Sequence, residues 1–296
     1  MQPSDPLAYP GILVLDGPLG TEIAARGVAT PPPQWSAAAI VEAPEILRAI
    51  HRDYARAGAE VHTANTFRTR RRQAGDAWEE LAARAVALAR EAVPPGDLVA
   101  GSLAPIEDCY RPDLSPADPR PEHREIARAL AAAGVDLILC ETFPHVGEAL
   151  IAVEEAVATG LPTWVSFTAG PGADLLSPDE VARGARAAVA RGAQAALVNC
   201  TPASRTLAYV ERLAGCGAPF GAYANAGAPE EGLGWEATSA QGAARAYAAL
   251  ARRWIEAGAR LVGGCCGTGP AHVAALAELC REIGAASRPS RSSSRG

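Results

Sequence analysis

Eight short runs of apolar, often β-branched residues recur along the chain, each followed by a segment with helical spacing, and this alternation constrains the fold most. The runs fall at 12–16, 60–67, 98–103, 135–141, 163–168, 195–200, 220–225 and 260–264. Between them, apolar stripes such as Ile46, Leu47, Ile50 and Tyr54, or Leu81, Ala85 and Leu88, mark one face of a helix. Strand and helix alternating throughout imply a parallel sheet. A two-unit rhythm supports eight strands. Four helices end in nearly the same words, ARAGAE at Gly58, AAAGVD at Gly134, VARGAQ at Gly192 and IEAGAR at Gly258, each glycine a left-handed helix stop before an even-numbered strand. Odd strands tend to follow Gly-x-Pro, as at Gly160-Leu161-Pro162 and Gly217-Ala218-Pro219.

The fold class expected is therefore α/β, a single-domain (β/α)8 TIM barrel. The chain of 296 residues is close to the roughly 250 such a barrel needs. The competing open, doubly wound sheet usually carries a glycine-rich phosphate loop after its first strand, and residues 16–21 lack the G-x-G-x-x-G spacing. Aromatic residues are only 5% of the chain against 49% apolar, so Ala, Val and Leu must build the core. The barrel is expected over 11–285, after an N-terminal extension 1–10 and before a Ser/Arg-rich disordered tail 286–296.

The net charge is -6 and every basic residue is arginine, which leaves no basic field for a nucleic-acid backbone. With no signal-like N-terminus and no apolar stretch of the ~18 residues a membrane span needs, a cytoplasmic protein without a membrane partner is expected. Seven cysteines is an odd number, and in a reducing compartment they read as thiols or metal ligands rather than a disulfide framework.

In a barrel of this kind the active site lies at the C-terminal ends of the strands. Those ends offer Asp16, Asn65 with Thr66, Glu141, Cys200, Asn225, and Cys265 with Cys266. Three cysteines on one rim would form a thiolate site for zinc, Cu(I) or an iron-sulfur cluster, with the fourth position of a zinc site open. Neighbouring Cys265 and Cys266 cannot both face inward on a regular strand, so Gly263, Gly264 and Gly267 are expected to supply the backbone freedom that turns both sulfurs to one ion. Sequence-distant cysteines alone leave open the alternative of thiols packed as small hydrophobes. That alternative is the expectation for Cys109, Cys216 and Cys280, and also for Cys140, which should face the helices if Glu141 faces the site. The loop 105–111 is expected to be an exposed turn, although its carboxylates and Tyr110 could face a sulfonium.

These residues resemble the homocysteine S-methyltransferase family. The resemblance is carried by LDGPLGTEIAARG from Leu15, AGAEVHTANTF from Ala57, CETFP from Cys140, VNC ending at Cys200, NAG from Asn225 and GGCCGT from Gly263. It runs from the first strand to the last helix. It implies that Cys200, Cys265 and Cys266 are zinc ligands with a catalytic role, and that Asn225 is a weak fourth ligand while the thiol is absent. It further implies that Asp16, Gly17 and Glu141, with Asn65 as a weaker assignment, bind L-homocysteine. The expected reaction is zinc-dependent methyl transfer from a small cationic donor to the homocysteine thiol, giving methionine. S-methylmethionine or S-adenosylmethionine is favoured as donor, since the chain has neither folate and cobalamin domains nor the C-terminal extension of the betaine-using branch. The alternatives are betaine or another thiol or selenol substrate with the same zinc chemistry, and a non-catalytic homocysteine- or zinc-binding barrel.

Overall fold

The computed structural model describes residues 11–226, 231–234 and 239–286, together with Leu7. Of the expected extension 1–10 only Leu7 is described, and the expected tail lies outside the described residues apart from residue 286, where the last helix ends.

Eight strands form one parallel sheet: β1 (Leu13–Val14), β2 (Val61–Ala64), β3 (Leu98–Leu103), β4 (Leu137–Phe143), β5 (Thr163–Thr168), β6 (Ala195–Pro202), β7 (Phe220–Asn225) and β8 (Leu261–Gly264). From β2 onward each pairs with the next, and β8 pairs with β1 through Leu13↔Leu261 and Val14↔Val262. A single bridge, Leu15↔Val61, joins β1 to β2 and completes the ring. The sheet is thus a closed (β/α)8 barrel.

The helices are α1 (Leu19–Ala25), α2 (Ala39–Glu42), α3 (Pro44–Ala57), α4 (Arg71–Ala74), α5 (Trp78–Ala92), α6 (Arg120–Ala132), α7 (Val146–Val157), α8 (Pro178–Val189), α9 (Ala203–Leu213), α10 (Ala240–Glu256) and α11 (Pro270–Ala286). α3 and α5 to α11 are the outer ring, and α1, α2 and α4 are short pieces in the first two βα loops. Their limits have local causes. Ser177 and Glu180 form a reciprocal capping box at the start of α8, with Pro178 at the first helical position. The four repeated helix-end glycines all adopt positive φ, from 82° to 103°, as the repeated words predict.

Alternation along the strands divides the core in two. Leu13, Leu15, Val61, Leu137, Leu139 and Leu261 point into the barrel around fully buried Trp164. Val14, Val99, Ile138, Val165 and Val198 point out to the helices. Cys140 belongs to the outer layer, as expected from its neighbour Glu141. Tyr247 of α10 fastens the outer layer to the rim. Its hydroxyl accepts from the Ala224 N–H (3.0 Å) and its one proton reaches the carbonyls of Gly263 (2.8 Å) and Ala224 (2.9 Å). Trp254 and His272 pack edge-on against its ring. Among the described residues no helix is long and apolar enough to cross a membrane.

Candidate metal and substrate site

The C-terminal rim opens into a cavity of about 600 Å³ lined by Asp16, Gly17, Asn65, Glu141, Cys200, Cys265 and Cys266, among others. Five sequence-distant segments therefore deliver these residues to one place. Asn225 ends β7 with its Oδ1 buried and, among the described residues, without a hydrogen-bond partner, and the following residue, Ala226, donates its N–H to the Cys266 carbonyl (2.9 Å).

The sulfurs of Cys200, Cys265 and Cys266 all lie within 4.8 Å of one another. Tetrahedral Zn–S bonds of about 2.3 Å require sulfurs about 3.8 Å apart, so the trio fits an ion of that kind and its soft donors match zinc. The backbone achieves this differently from the expectation. Gly263 and Gly264 do not adopt positive φ. They are needed for room, since a Cβ on Gly263 would stand 2.7 Å from the Leu15 Cβ and one on Gly264 2.2 Å from the Thr268 Oγ1. Gly267 is left-handed (φ 82°), and so is Cys200 itself (φ 49°), a conformation that costs a non-glycine residue of order 1 kcal/mol or more.

Asn199 secures that turn. Its Oδ1 accepts from the Ser166 hydroxyl (2.7 Å) and the Thr142 N–H (3.2 Å), while its Nδ2 donates to the Thr142 Oγ1 (2.8 Å) and the Cys200 sulfur (3.4 Å). Thr142 is also left-handed (φ 63°), so one buried amide holds the two special residues of β4 and β6. Proton sharing with Cys200 holds the Cys266 thiol well below its ordinary range. The interaction with Cys265, then that with Cys266, holds Cys200 well above it.

The two carboxylates occupy the same cavity. Asp16 accepts from the Thr63 N–H (2.9 Å) and hydroxyl (3.2 Å), and its carbonyl accepts from the Gly264 N–H (3.2 Å), so it ties β1 to both neighbouring strands. Glu141 accepts from the Ser102 hydroxyl and from the Tyr223 hydroxyl (2.9 Å). Burial holds both carboxyls above the ordinary carboxylate range. Gly17 has no space for a side chain, because a Cβ would meet the Tyr54 ring at 2.6–2.7 Å, and Tyr54 in turn donates to the Pro18 carbonyl (3.0 Å). Asn65 lines the cavity, with its Nδ2 donating to the Ser36 carbonyl (2.8 Å), which fastens the first βα loop over the rim.

One expectation needs correction. The loop after β3 is not an exposed turn: Glu107, Asp108, Cys109 and Tyr110 line the cavity, and the Cys200 charge, then burial, pushes the Tyr110 hydroxyl upward. Cys109 is buried where this loop meets the cavity, and burial pushes its thiol up to about 12. Buried groups behind the loop turn it inward. Arg70 donates to the Ala104 (2.6 Å) and Pro105 carbonyls, and Glu148 accepts from the Ile106 N–H (2.7 Å). Cys216 and Cys280 do not line this cavity. The sequence reading also missed Ser102, Tyr223 and Thr63. Ser102 and Tyr223 carried a usable signal, a polar residue near a strand's C-terminal end.

A model of the family described as homocysteine S-methyltransferase matches residues 13–280. The chain is 35% identical to the homocysteine S-methyltransferase of Escherichia coli, over 90% of this chain and 94% of that one. It is 31% identical to the S-methylmethionine–homocysteine S-methyltransferase BHMT2 of Pongo abelii, over 82% of this chain and 72% of the relative. The fold is similar to the crystal structure of the Escherichia coli homocysteine methyltransferase MmuM in its metallated form. The TM-score is 0.76 at 29% identity, covering 92% of this chain and 97% of the other.

Proposed function

The chain belongs to the homocysteine S-methyltransferase family and is an enzyme of the methyltransferase class that acts on homocysteine, and from that premise we propose a zinc-dependent reaction with a small sulfonium donor. The observation that carries the proposal is the cluster of three cysteine sulfurs in one cavity with Asp16 and Glu141. Cys200, Cys265 and Cys266 would hold the ion. Zinc in such a site supplies the Lewis acidity that keeps a thiol, ordinarily with a pKa near 8.5, deprotonated at neutral pH. The Asn225 Oδ1, buried and without a partner among the described residues, suits a weak ligand in the absence of substrate.

Asp16 and Glu141 bind the homocysteine ammonium through charge-assisted hydrogen bonds. Their partners Thr63, Ser102 and Tyr223 hold both carboxylates in place before the substrate arrives, so little ordering remains to be done on binding. Gly17 lets the first βα loop lie close to the amino-acid end of the substrate, and Asn65 keeps that loop closed over it. The Asn199 amide, donating to Cys200, tempers the charge on that sulfur.

The donor is cationic in this reading. Four of the charged side chains lining the cavity, Asp16, Glu107, Asp108 and Glu141, are acidic, and Tyr110 offers an aromatic face beside the thiols. A sulfonium loses its charge as the methyl leaves, so the rate must come from alignment of the attacking sulfur with the departing one. S-methylmethionine is the preferred donor, with S-adenosylmethionine next, and the similarity to an S-methylmethionine-using relative supports that order. The thiol trio, which lines an open cavity, suits a reducing cytoplasm, where it is protected from oxidation.

The test is zinc content and methionine formation in one preparation, with S-methylmethionine, S-adenosylmethionine and betaine offered separately. One zinc per chain and turnover with a sulfonium are expected, and Cys266→Ala should abolish both. Turnover by a metal-free protein, or by the Cys266→Ala variant, would refute the ligand assignment.

A further inference from the structure

The first cavity wall ends in a run of arginines, Phe67-Arg68-Thr69-Arg70-Arg71-Arg72, and the structure spends all but one of them. Arg70 is buried on the carbonyls of Ala104 and Pro105. Arg71 pairs with Asp76 (3.2 Å), and Arg72 with Glu107 and Glu122 (both 2.6 Å). Arg68 is different. It lines the cavity, with its guanidinium carbon 5.3 Å from the centroid of the Phe67 ring, and among the described residues it has neither ion pair nor hydrogen bond. It is also the one cationic side chain among the described residues of that lining.

Each acid of the same cavity has a partner other than Arg68. Asp16 is bound by Thr63, Glu141 by Ser102 and Tyr223, Glu107 by Arg72, and Asp108 accepts from the Tyr110 N–H (2.8 Å). A planar fork of five donors, braced on an aromatic ring and left without an acceptor, is suited to a carboxylate. Phe67 in turn packs edge-on against Trp35 (6.1 Å), so the guanidinium rests on a supported aromatic wall.

We infer that Arg68 receives the carboxylate of the methyl donor and makes the enzyme selective for sulfonium donors that carry a free carboxylate. This rests on the sulfonium reading above. The homocysteine carboxylate is the rival occupant, and position argues against it. The segment that carries Arg68 is tied to the β3–α6 loop, by Arg70 to the Ala104 and Pro105 carbonyls and by Arg72 to Glu107, whereas Asp16 is held by Thr63 and Glu141 by Ser102 and Tyr223. Arg68 therefore belongs with the Cys109–Tyr110 wall. The acceptor's ammonium and carboxylate share one carbon, so an ammonium bound by Asp16 and Glu141 keeps its carboxylate near them.

The experiment compares S-methylmethionine with its carboxamide, which keeps the sulfonium and the ammonium and loses only the anionic group. The wild type should prefer the acid, and in Arg68→Gln the acid-over-amide ratio of kcat/KM should fall about 10- to 100-fold, the worth of one charge-assisted contact. Arg68→Lys should restore part of it. Calorimetric titration of the zinc-loaded protein with the two donors reads the same preference without turnover. A ratio unchanged by Arg68→Gln, or a wild type that binds acid and amide equally, overturns the inference. So does a variant whose homocysteine KM rises while the donor ratio stays fixed, since Arg68 would then serve the acceptor. Failure of every sulfonium donor to yield methionine would instead sink the functional reading, and the titration would still judge Arg68.

Discussion

Replacing Tyr247 by phenylalanine removes one oxygen atom and leaves the ring, its edge-on contacts with Trp254 and His272 and its complete burial intact. The loss is therefore polar. The Ala224 N–H loses its acceptor in a fully buried place, and the carbonyls of Ala224 and Gly263 lose the proton they share. An orphaned buried donor costs about 1–3 kcal/mol and a lost hydrogen bond about 1 kcal/mol, which sums to about 2–4 kcal/mol. Against a total of about 5–15 kcal/mol for a folded domain, that is a large fraction. The Ala224 carbonyl also accepts from the Cys265 N–H (2.8 Å), so the same change loosens the turn that carries two of the three sulfurs. Zinc affinity should fall about tenfold, at the lower end for supporting residues around a metal. Urea denaturation of the stripped protein measures the first effect and chelator competition the second. A stability change below about 0.5 kcal/mol would refute the reasoning, because it would mean that the hydroxyl is replaced at no cost.

Glu141→Gln should raise the homocysteine KM about 10- to 100-fold, read by steady-state kinetics. The same variant should be more stable than the wild type at pH 8. Burial raises the Glu141 pKa, so the stability linked to this group is full in acid and lost as pH rises through the raised value. Denaturation midpoints of the two proteins should converge toward pH 4. His51, buried in α3, has its pKa lowered to about 3, first by burial and then by His62, so its contribution is present above pH 6.5 and lost as pH falls toward 3. The difference from the ordinary 6.5 corresponds to about 5 kcal/mol, and His51→Gln should flatten the acid limb of the stability profile by an amount of that order.

The barrel was legible because its signals are local. The helix-end glycines and the apolar runs each report on a few neighbouring residues, and eight repetitions leave little choice of architecture. The ends of β4 and β6 were less legible: both run two residues beyond the expected limits, to Phe143 and Pro202. Register shifts at those points accompany the left-handed Thr142 and Cys200. Nothing in a one-dimensional pattern reports that Asn199, beside a cysteine, reaches Thr142 across 57 positions of chain. The inward loop was misjudged for the same reason. Residues 105–110 read as a turn, and their direction is decided by Arg70 and Glu148, which lie 34 or more positions away. Polar residues at strand ends could be nominated from sequence, whereas the side chains that hold them could not.

The ring is completed by β8, the last strand made, which docks against β1, the first. That strand also leads directly into Cys265 and Cys266, and all three sulfurs belong to the final third of the chain. Closure of the cylinder and assembly of the thiol trio are consequently a single late event in biosynthesis. A nascent chain still lacking β8 exposes a gap beside β1 and carries only Cys200 of the three, so it lacks the three-sulfur site. On the zinc reading proposed above, uptake of the ion at the thiol trio is reserved for chains that have been made through residue 266, and a product cut short before that point lacks two of the three sulfurs.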